Sequence, residues 1–319
     1  MGIVLQPGWS KPSTLLFASE FPANEKTFAI ALALAAEFGA ELIIFHVYES
    51  SDMAASETFG IHHHGQVVAR AEKRRFEPLA QRARDFGIHC RIVVRPGLPA
   101  DEILAFLHRR KVDRVIMGAH TPGPTGKLLV GSVAEAVLRT ANVPVNIVGP
   151  DVVESTFRNF AKRTILCSVS TQLSNHVVVS FAAELAARQN ASLILHQVIP
   201  PQERAEVLAS RTIDQLEAEL ASLLPAKLEN NFKVQTVVVL GDPVEELLHE
   251  GRSQQANLIV MGAQGASHFA AITHSDIVFM VPGLAHCPVV TLSPILLAKC
   301  GGREDKPRPP EVNYIAGVI

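Results

Sequence analysis

The residues best suited to bind a ligand lie in a glycine-rich stretch at Met117–Leu138, MGAHTPGPTGKLLVGSVAEAVL. This stretch has the pattern of a buried strand end, a loop and a helix start. Gly118 opens the loop and Gly131 precedes the helix, so backbone N–H groups at both points can approach an anion closely. The Ser132 hydroxyl can cap the helix or bind a phosphate, and Lys127 adds a positive charge. The stretch therefore predicts an anion-binding loop.

A second copy of this stretch, MGAQGASHFAAITHSDIVFM, begins at Met261, which lies 144 residues after the start of the first. It carries Gly262 and Gly265, but Ser275-Asp276 replaces the Gly-Ser pair at the helix start. An Asp carboxylate there satisfies the helix N–H groups itself and repels phosphate. The loop also lacks the basic residue that Lys127 supplies in the first copy. The second copy is therefore expected to bind an anion less well.

Two common nucleotide-binding motifs do not account for the first loop. TPGPTGKL resembles a Walker A loop, but Thr121 stands where the first glycine belongs and Leu128 follows the lysine. The stretch also follows the fourth expected strand rather than the first. Because no GxGxxG occurs, a dinucleotide-binding Rossmann site is disfavoured as well.

The elements around the first loop alternate between apolar strands and amphipathic helices. Strands are expected at Thr14–Ala18, Glu41–Tyr48, Ile88–Arg95, Val112–Met117 and Val143–Val148. Helices are expected at Asn24–Phe38, Gln66–Phe86, Pro99–Arg110 and about Ser132–Thr140, with a loop at Ser51–Gly65. This alternation predicts an α/β fold with a doubly wound, Rossmann-like sheet of five parallel strands.

The same order of elements then begins again, which indicates a domain duplication. GLPADE from Gly97 matches GDPVEE from Gly241, and NVPVNIV from Asn142 matches HCPVVTL from His286, all at the offset of 144 residues. One long helix is expected at Glu203–Glu229. We expect a first domain at residues 12–150, a linker at 151–162, a second domain at 163–293 and a flexible tail at 294–319.

The glycine loop, with Gly-x-Pro-x-x-Glu upstream, resembles the universal stress protein family in tandem form. The resemblance covers residues 12–150 and 160–293 and implies two domains of the adenine nucleotide alpha hydrolase-like class. In one branch of this family the loop binds ATP, with Mg²⁺, and an acidic residue after the first strand contacts the adenosine. Members pair through their fifth strands, so this chain is expected to pair within itself, as a pseudo-dimer across Val143–Val148 and Val289–Ser293, or as a homodimer.

The resemblance assigns nucleotide binding to specific positions of this sequence. They are Glu20, Val47, Met117, Gly118, His120, Thr121, Lys127, Gly131 and Ser132, together with Gly262 and Gly265 in the second half. The first half departs from the family pattern at Thr121, where a glycine belongs, and at Glu20, which is longer than the usual Asp. In the second half Ser170 or Thr171 replaces the acid, so nucleotide is expected chiefly in the first half.

Two further clusters have both functional and structural interpretations. His62-His63-His64, with His120 near them, suggests a metal site, but adjacent histidines point in different directions and fit a solvated, pH-responsive loop as well. The basic run Lys73-Arg74-Arg75 can meet phosphates or form the solvated face of a helix. We assign no metal ligand and no catalytic residue from these patterns.

Composition limits the remaining classes of function. The formal net charge of −2 and the presence of one Trp and two Tyr give no basis for nucleic-acid binding. Four separated cysteines with no CxxC pair suit a reducing compartment, and three of them (Cys90, Cys167 and Cys287) lie in apolar runs where a thiol is buried. With no signal peptide and no apolar run of about 18 residues, the sequence predicts a cytoplasmic protein that does not contact membranes.

Three hypotheses for function follow. The first is a stress-response binding and signalling module that holds an adenine nucleotide in its first half. The second is a nucleotide-free, dimeric protein-interaction or chaperone-like protein, which Thr121 and Ser275-Asp276 favour. The third is slow ATP hydrolysis, with Glu20 orienting water, although no carboxylate pair or metal motif supports it.

Overall fold

The computed structural model describes residues 7–48, 61–119, 130–153, 163–170, 175–228, 232–263 and 277–300. The strands in these ranges are β1 (Thr14–Ala18), β2 (Glu41–Tyr48), β3 (Cys90–Pro96), β4 (Arg114–Gly118), β5 (Val145–Val148), β6 (Thr164–Ser168), β7 (Ser192–Ile199), β8 (Val234–Leu240), β9 (Leu258–Gly262) and β10 (Val289–Leu292). The helices are α1 (Pro7–Ser10), α2 (Glu25–Phe38), α3 (Ile61–Asp85), α4 (Pro99–Arg109), α5 (Ser132–Thr140), α6 (Asn175–Gln189), α7 (Arg204–Ser210), α8 (Ile213–Ser222), α9 (Pro243–Ser253), α10 (Ile277–Leu284) and α11 (Pro294–Cys300).

All ten strands form one sheet in the order β3-β2-β1-β4-β5-β10-β9-β6-β7-β8. Within each half the strands are parallel, and the order reverses direction between β1 and β4 and again between β6 and β9. The fifth strands, β5 and β10, pair antiparallel, with Val145 opposite Thr291 and Ile147 opposite Val289. The predicted α/β architecture of two five-stranded parallel units is confirmed, and the fifth strands pair within the chain.

The strands are buried on both faces, which explains their continuous apolar sequence. The four residues from Leu42 to Phe45 in β2 are at most 1% exposed. Such runs, without alternation, are typical of parallel sheets covered by helices on both sides. The expected first-half strands agree with the observed ones to within two residues.

The two halves share a core and do not pack as separate bodies. One cluster of buried apolar side chains contains Val145 and Ile147 from β5 together with Val289 from β10. Trp9, in the N-terminal helix α1, is 1% exposed and belongs to the core of the second half. Arg163, just before β6, forms a largely buried ion pair with Glu37 of α2. The two halves are therefore linked by apolar contacts in the core and by this ion pair just before β6.

Two expected helix boundaries were wrong. Helix α3 begins at Ile61, so the last five residues of the loop expected at Ser51–Gly65 are helical. The side chains of His62, His63 and His64 lie outside the described residues. The long helix expected at Glu203–Glu229 is interrupted after α7, because Thr212 starts α8 with a capping box to Gln215.

The start of the expected flexible tail is folded. Residues 294–300 form α11, in which Leu296 and Leu297 are completely buried. The hydroxyl of Ser293 accepts a hydrogen bond from the Leu296 N–H and donates one to the carbonyl of Ala141 at the end of α5. The expectation of a loose extension was therefore wrong for Pro294–Cys300, where a serine cap and two leucines fix a helix. Residues 301–319 lie outside the described part of the chain.

The four cysteines are free thiols, and Cys90, Cys167 and Cys287 are buried as expected. Burial raises the pKa of Cys90 to about 11 and that of Cys167 to about 12. These thiols are protonated near neutral pH and behave as small apolar side chains. Over the described ranges, the helices are too short or too polar to cross a bilayer.

Candidate functional site

A cavity of about 300 Å³ opens at the carboxyl ends of β1 and β4, where the strand order of the first half reverses. Ligands of open α/β sheets bind at such a point, since the loops on either side diverge and leave a crevice. The cavity is bounded by the turn after β1, the first turns of α2 and α4, the end of β4 and the start of α5. The glycine stretch that the sequence singled out thus forms one wall of it.

The structure brings most of the described predicted site residues together. The lining contains Glu20, Val47, Met117, Gly118, Gly131 and Ser132. Three further predicted residues of the first half, His120, Thr121 and Lys127, lie outside the described residues. Gly262 lies at the equivalent point of the second half, and Gly265 falls outside the described ranges.

The start of α5 directs backbone donors towards the cavity. Gly131 is the N-cap residue and provides no side-chain cap for the helix. Ser132 is the first helical residue, so its hydroxyl does not cap the helix, and it has no hydrogen-bond partner among the described residues. The first N–H groups of a helix are unpaired and carry partial positive charge. Glu135, the acid in this first turn, is paired with Arg139, which offsets its repulsion of an anion.

Two polar residues that the sequence analysis did not assign to the site line the opposite wall. Asn24 caps α2 by accepting hydrogen bonds from the Thr27 N–H at 3.0 Å and from the Thr27 hydroxyl at 3.1 Å. A Cβ atom at Gly118 would lie 3.3 Å from Thr27 Oγ1, so the glycine keeps this part of the cavity open. In the sequence, the signal that could have identified this wall is Thr27, a polar residue within the otherwise apolar face of α2.

The turn after β1 places Glu20 at the rim of the cavity. The Ser19 N–H donates to the Phe45 carbonyl, and the Ser19 carbonyl lies 2.9 Å from His46 Nδ1, so the backbone before Glu20 is fixed from two sides. The imidazole of His46 packs on Phe76. Glu20 is exposed and supplies the only carboxylate among the described lining residues. It is therefore placed to accept hydrogen bonds from ligand hydroxyl groups.

The described part of the lining contains no Lys or Arg side chain. An anion in the cavity would be held by backbone N–H groups, the helix dipole and the Ser132 hydroxyl. The apolar part of the lining includes Phe45, Val47, Pro99 and Ile103. These side chains can contact the carbon atoms of a ligand. The cavity thus combines an anion-binding end with an apolar end. Across the described residues, no group of three or more His, Cys, Asp or Glu side chains could hold a metal ion.

The equivalent region of the second half has an apolar lining at Gly262. A Cβ atom at Gly262 would lie 3.1 Å from Val178 Cγ2 and 3.3 Å from Leu297 Cδ1. Val178 stands at the position of Thr27, and Leu297 comes from α11. Ser170, at the position of Glu20, has its N–H and carbonyl bonded to the Asn175 side chain. Among its described residues, the second half keeps Asn175 at the position of Asn24 but has no counterpart of the Thr27 hydroxyl or of the Glu20 carboxylate.

Comparisons with known proteins agree with this architecture. The model of the universal stress protein family matches residues 14–149 and again residues 161–292. A universal stress protein of Methanocaldococcus jannaschii is 31% identical over 121 residues, which are 37% of this chain and 70% of that protein. A universal stress protein of Mycobacterium tuberculosis is 26% identical over 234 residues, covering 71% of this chain and 75% of that protein. The crystal structure of a universal stress protein from Archaeoglobus fulgidus superimposes with a TM-score of 0.62 at 17% identity, over 88% of this chain and 98% of that one. The chain therefore belongs to the universal stress protein family and carries its domain twice in tandem.

Proposed function

We propose that the chain is a binding and signalling module that holds an adenine nucleotide in the cavity of its first half. The observation that carries the proposal is the convergence of Glu20, Val47, Gly118 and Ser132, from four separate segments, on one cavity. This cavity lies at the point where the strand order reverses, and doubly wound sheets bind their ligands at such a point. The reducing compartment that suits four free thiols is the cytoplasm.

The arrangement of polar and apolar groups gives the nucleotide a direction. In this proposal the phosphates, with Mg²⁺, would lie at the start of α5, where the N–H groups of the first turn and the Ser132 hydroxyl can donate hydrogen bonds. Glu20 accepts hydrogen bonds from the ribose hydroxyls at the rim. The adenine ring lies against Val47 and Ile103, which supply apolar contact area. Gly118 leaves the space between these groups unobstructed.

Calorimetric titration of ATP and AMP against Gly118→Val and Gly131→Val tests the proposal. Either valine places methyl groups where the ligand would approach the backbone, so we expect the affinity to fall by at least about tenfold. Urea unfolding of each variant shows whether the fold is retained. Unchanged affinity in two folded variants would contradict the assignment of the cavity.

The second candidate function is that of a nucleotide-free protein-interaction or chaperone-like dimer. The observation in its favour is that apolar side chains, Val178 and Leu297, lie next to Gly262 in the second half, where the first half has the polar Thr27 next to Gly118. Chromatography of the supernatant from heat-denatured, freshly purified protein distinguishes the two functions. Adenine nucleotide in that supernatant would argue directly against the nucleotide-free form.

A further inference from the structure

A second cavity in the first half, of about 310 Å³, lies between the end of β3 and one face of α4. Its lining consists of Arg95, Glu102, Ala105, Phe106, Arg109 and Arg110. We call it the arginine cavity. Three guanidinium groups and one carboxylate give this lining a formal charge of +2. A cavity of this size is at the lower end of the range for small-ligand sites.

The three arginines differ from four other surface arginines of the first half, each of which is paired with a glutamate. Arg91, on the same strand as Arg95, is paired with Glu41. Arg75, Arg82 and Arg84 on α3 are each paired with a glutamate as well. No carboxylate of the described residues pairs with Arg95, Arg109 or Arg110, and all three are exposed. Three unpaired guanidinium groups around one cavity repel one another, and a bound anion relieves that repulsion.

Stabilisation of helix α4 by its dipole can explain the presence of only some of these arginines. Arg109 lies in the last turn of α4, where a cation interacts favourably with the helix dipole. Arg95 comes from β3, so the dipole gives no reason for its presence there.

The second half supplies an internal comparison. It keeps the turn and the glutamate of this region as Gly241 and Glu246, but carries Val239, Ser253 and Gln254 where the first half has arginines. The duplicated fold therefore forms without these charges.

The arginine cavity is separate from the proposed nucleotide cavity, because the two linings share no residue. Phe106 lines the arginine cavity and Phe45 lines the nucleotide cavity, and their ring centroids are 4.9 Å apart. This aromatic pair belongs to the wall between the two spaces. A ligand in the arginine cavity is therefore an additional ligand.

We propose that the arginine cavity binds a small phosphorylated molecule whose phosphate carries two negative charges. Guanidinium groups match phosphate oxygens with paired, parallel N–H donors, and a dianion balances the +2 charge of the lining. The carboxylate of Glu102, whose stem packs on Gly97, selects against a ligand with further negative charge beside it and accepts a hydrogen bond from a ligand hydroxyl. This site does not depend on the proposed nucleotide cavity.

Calorimetric titration of the full chain with inorganic phosphate and with glycerol phosphate, at pH 8 and low ionic strength, tests this proposal. We expect Arg95→Gln and the double variant Arg109→Gln/Arg110→Gln each to weaken binding by about tenfold or more, as for a lost charge-assisted hydrogen bond. The control Arg70→Gln/Arg74→Gln removes two exposed charges from α3 and should leave binding unchanged. Gly131→Val, in the nucleotide cavity, should leave the part of the binding that depends on the arginines unchanged.

Three results would overturn the proposal. They are no measurable binding of either probe to the wild-type chain, equal losses in the arginine variants and the α3 control, and loss of binding in Gly131→Val alone. The last result would assign the phosphate to the nucleotide cavity. Because Arg95, Arg109 and Arg110 are exposed, their replacement by glutamine is expected to keep the fold, which urea unfolding of each variant checks.

Discussion

The two halves of the chain share a sheet topology but differ in what faces the glycine at the end of the fourth strand. Gly118 faces Thr27 across an open cavity, whereas Gly262 is packed against Val178 and Leu297. Both glycines lie at a point where the strand order reverses. The fold therefore tolerates either arrangement, so Thr27, which Val178 replaces in the second half, is not required for folding. We attribute Thr27 to the proposed binding.

The difference arises in part from the residue after the fifth strand. Ser293 caps α11, and α11 carries Leu297 to Gly262. Its counterpart in the first half is Gly149, where a Cβ atom would collide with the carbonyl of Pro282. No serine cap fits at that position, and the described residues after it form a turn instead of a helix. At the antiparallel pairing of β5 and β10, a helix therefore follows the fifth strand in the second half but not in the described residues of the first half.

Among the substitutions that test this comparison, Leu297→Ala should have the largest effect, which is on the free energy of unfolding. Leu297 is completely buried, so its truncation should lower the free energy of unfolding by about 2–5 kcal/mol through lost burial and a residual cavity. Urea unfolding measures the change. Ile295→Ala on the same helix is the control, because Ile295 is 40% exposed and should lose much less. Equal, small losses in both variants would contradict the packing of α11 against the second half.

The next largest effect should be a pH dependence of the folding stability, and it should arise from a residue of the second half. Burial lowers the pKa of His196 to about 4, while the equivalent residue of the first half, Phe45, does not titrate. Between pH 6.5 and 4 the unfolded chain binds this proton and the folded chain does not, so stability falls as the pH falls through this window. At pH 5 the loss relative to pH 7 should be about 2 kcal/mol from this residue.

His196→Phe tests this pH effect by restoring the first-half residue. Its unfolding free energy should change less between pH 7 and pH 5 than that of the wild type, whatever its value at pH 7. His286, whose pKa is also lowered by burial, should cause part of the dependence that remains. His89→Gln replaces an exposed histidine and should keep the wild-type dependence. An identical dependence in His196→Phe would show that His196 does not titrate as expected.

Ser132→Ala should have the smallest effect, and that effect should be on binding. Ser132 does not cap α5, so its replacement should change stability by less than about 0.5 kcal/mol. The loss of a hydrogen bond to a phosphate oxygen should weaken ATP binding by about tenfold. Calorimetry measures it, with Thr140→Ala at the other end of α5 as the control. Equal affinities in both variants would remove Ser132 from the proposed site.

The architecture could be predicted because it is encoded in long-range patterns. Runs such as Glu41–Tyr48 are continuously apolar and long enough to identify buried strands, and the 144-residue repeat indicates a duplicated fold. The six described residues that the sequence assigned to a first-half site line one cavity, because the carboxyl ends of parallel strands meet at one edge of a sheet.

The remaining features depend on contacts that a single sequence does not reveal. Pro294–Cys300 is too short to show helical periodicity, and its leucines acquire a role only when α11 meets Gly262. The arginine cavity unites Arg95 with Arg109 and Arg110 across a strand and a helix, so no local pattern marks it. The expected long helix is broken before Thr212, because Thr212 and Gln215 form a capping box that starts a new helix. A search for long amphipathic helices overlooks this signal.

The stoichiometry of ATP binding to the full chain tests the central claim most directly. Calorimetry on the wild-type chain and on Gly118→Val, whose fold is checked by urea unfolding, gives the number of nucleotides per chain and locates them. A single nucleotide per chain in the wild type, lost in Gly118→Val, is the predicted result. Two nucleotides per chain, or one that persists in Gly118→Val, would contradict the claim that the first half alone retains the site.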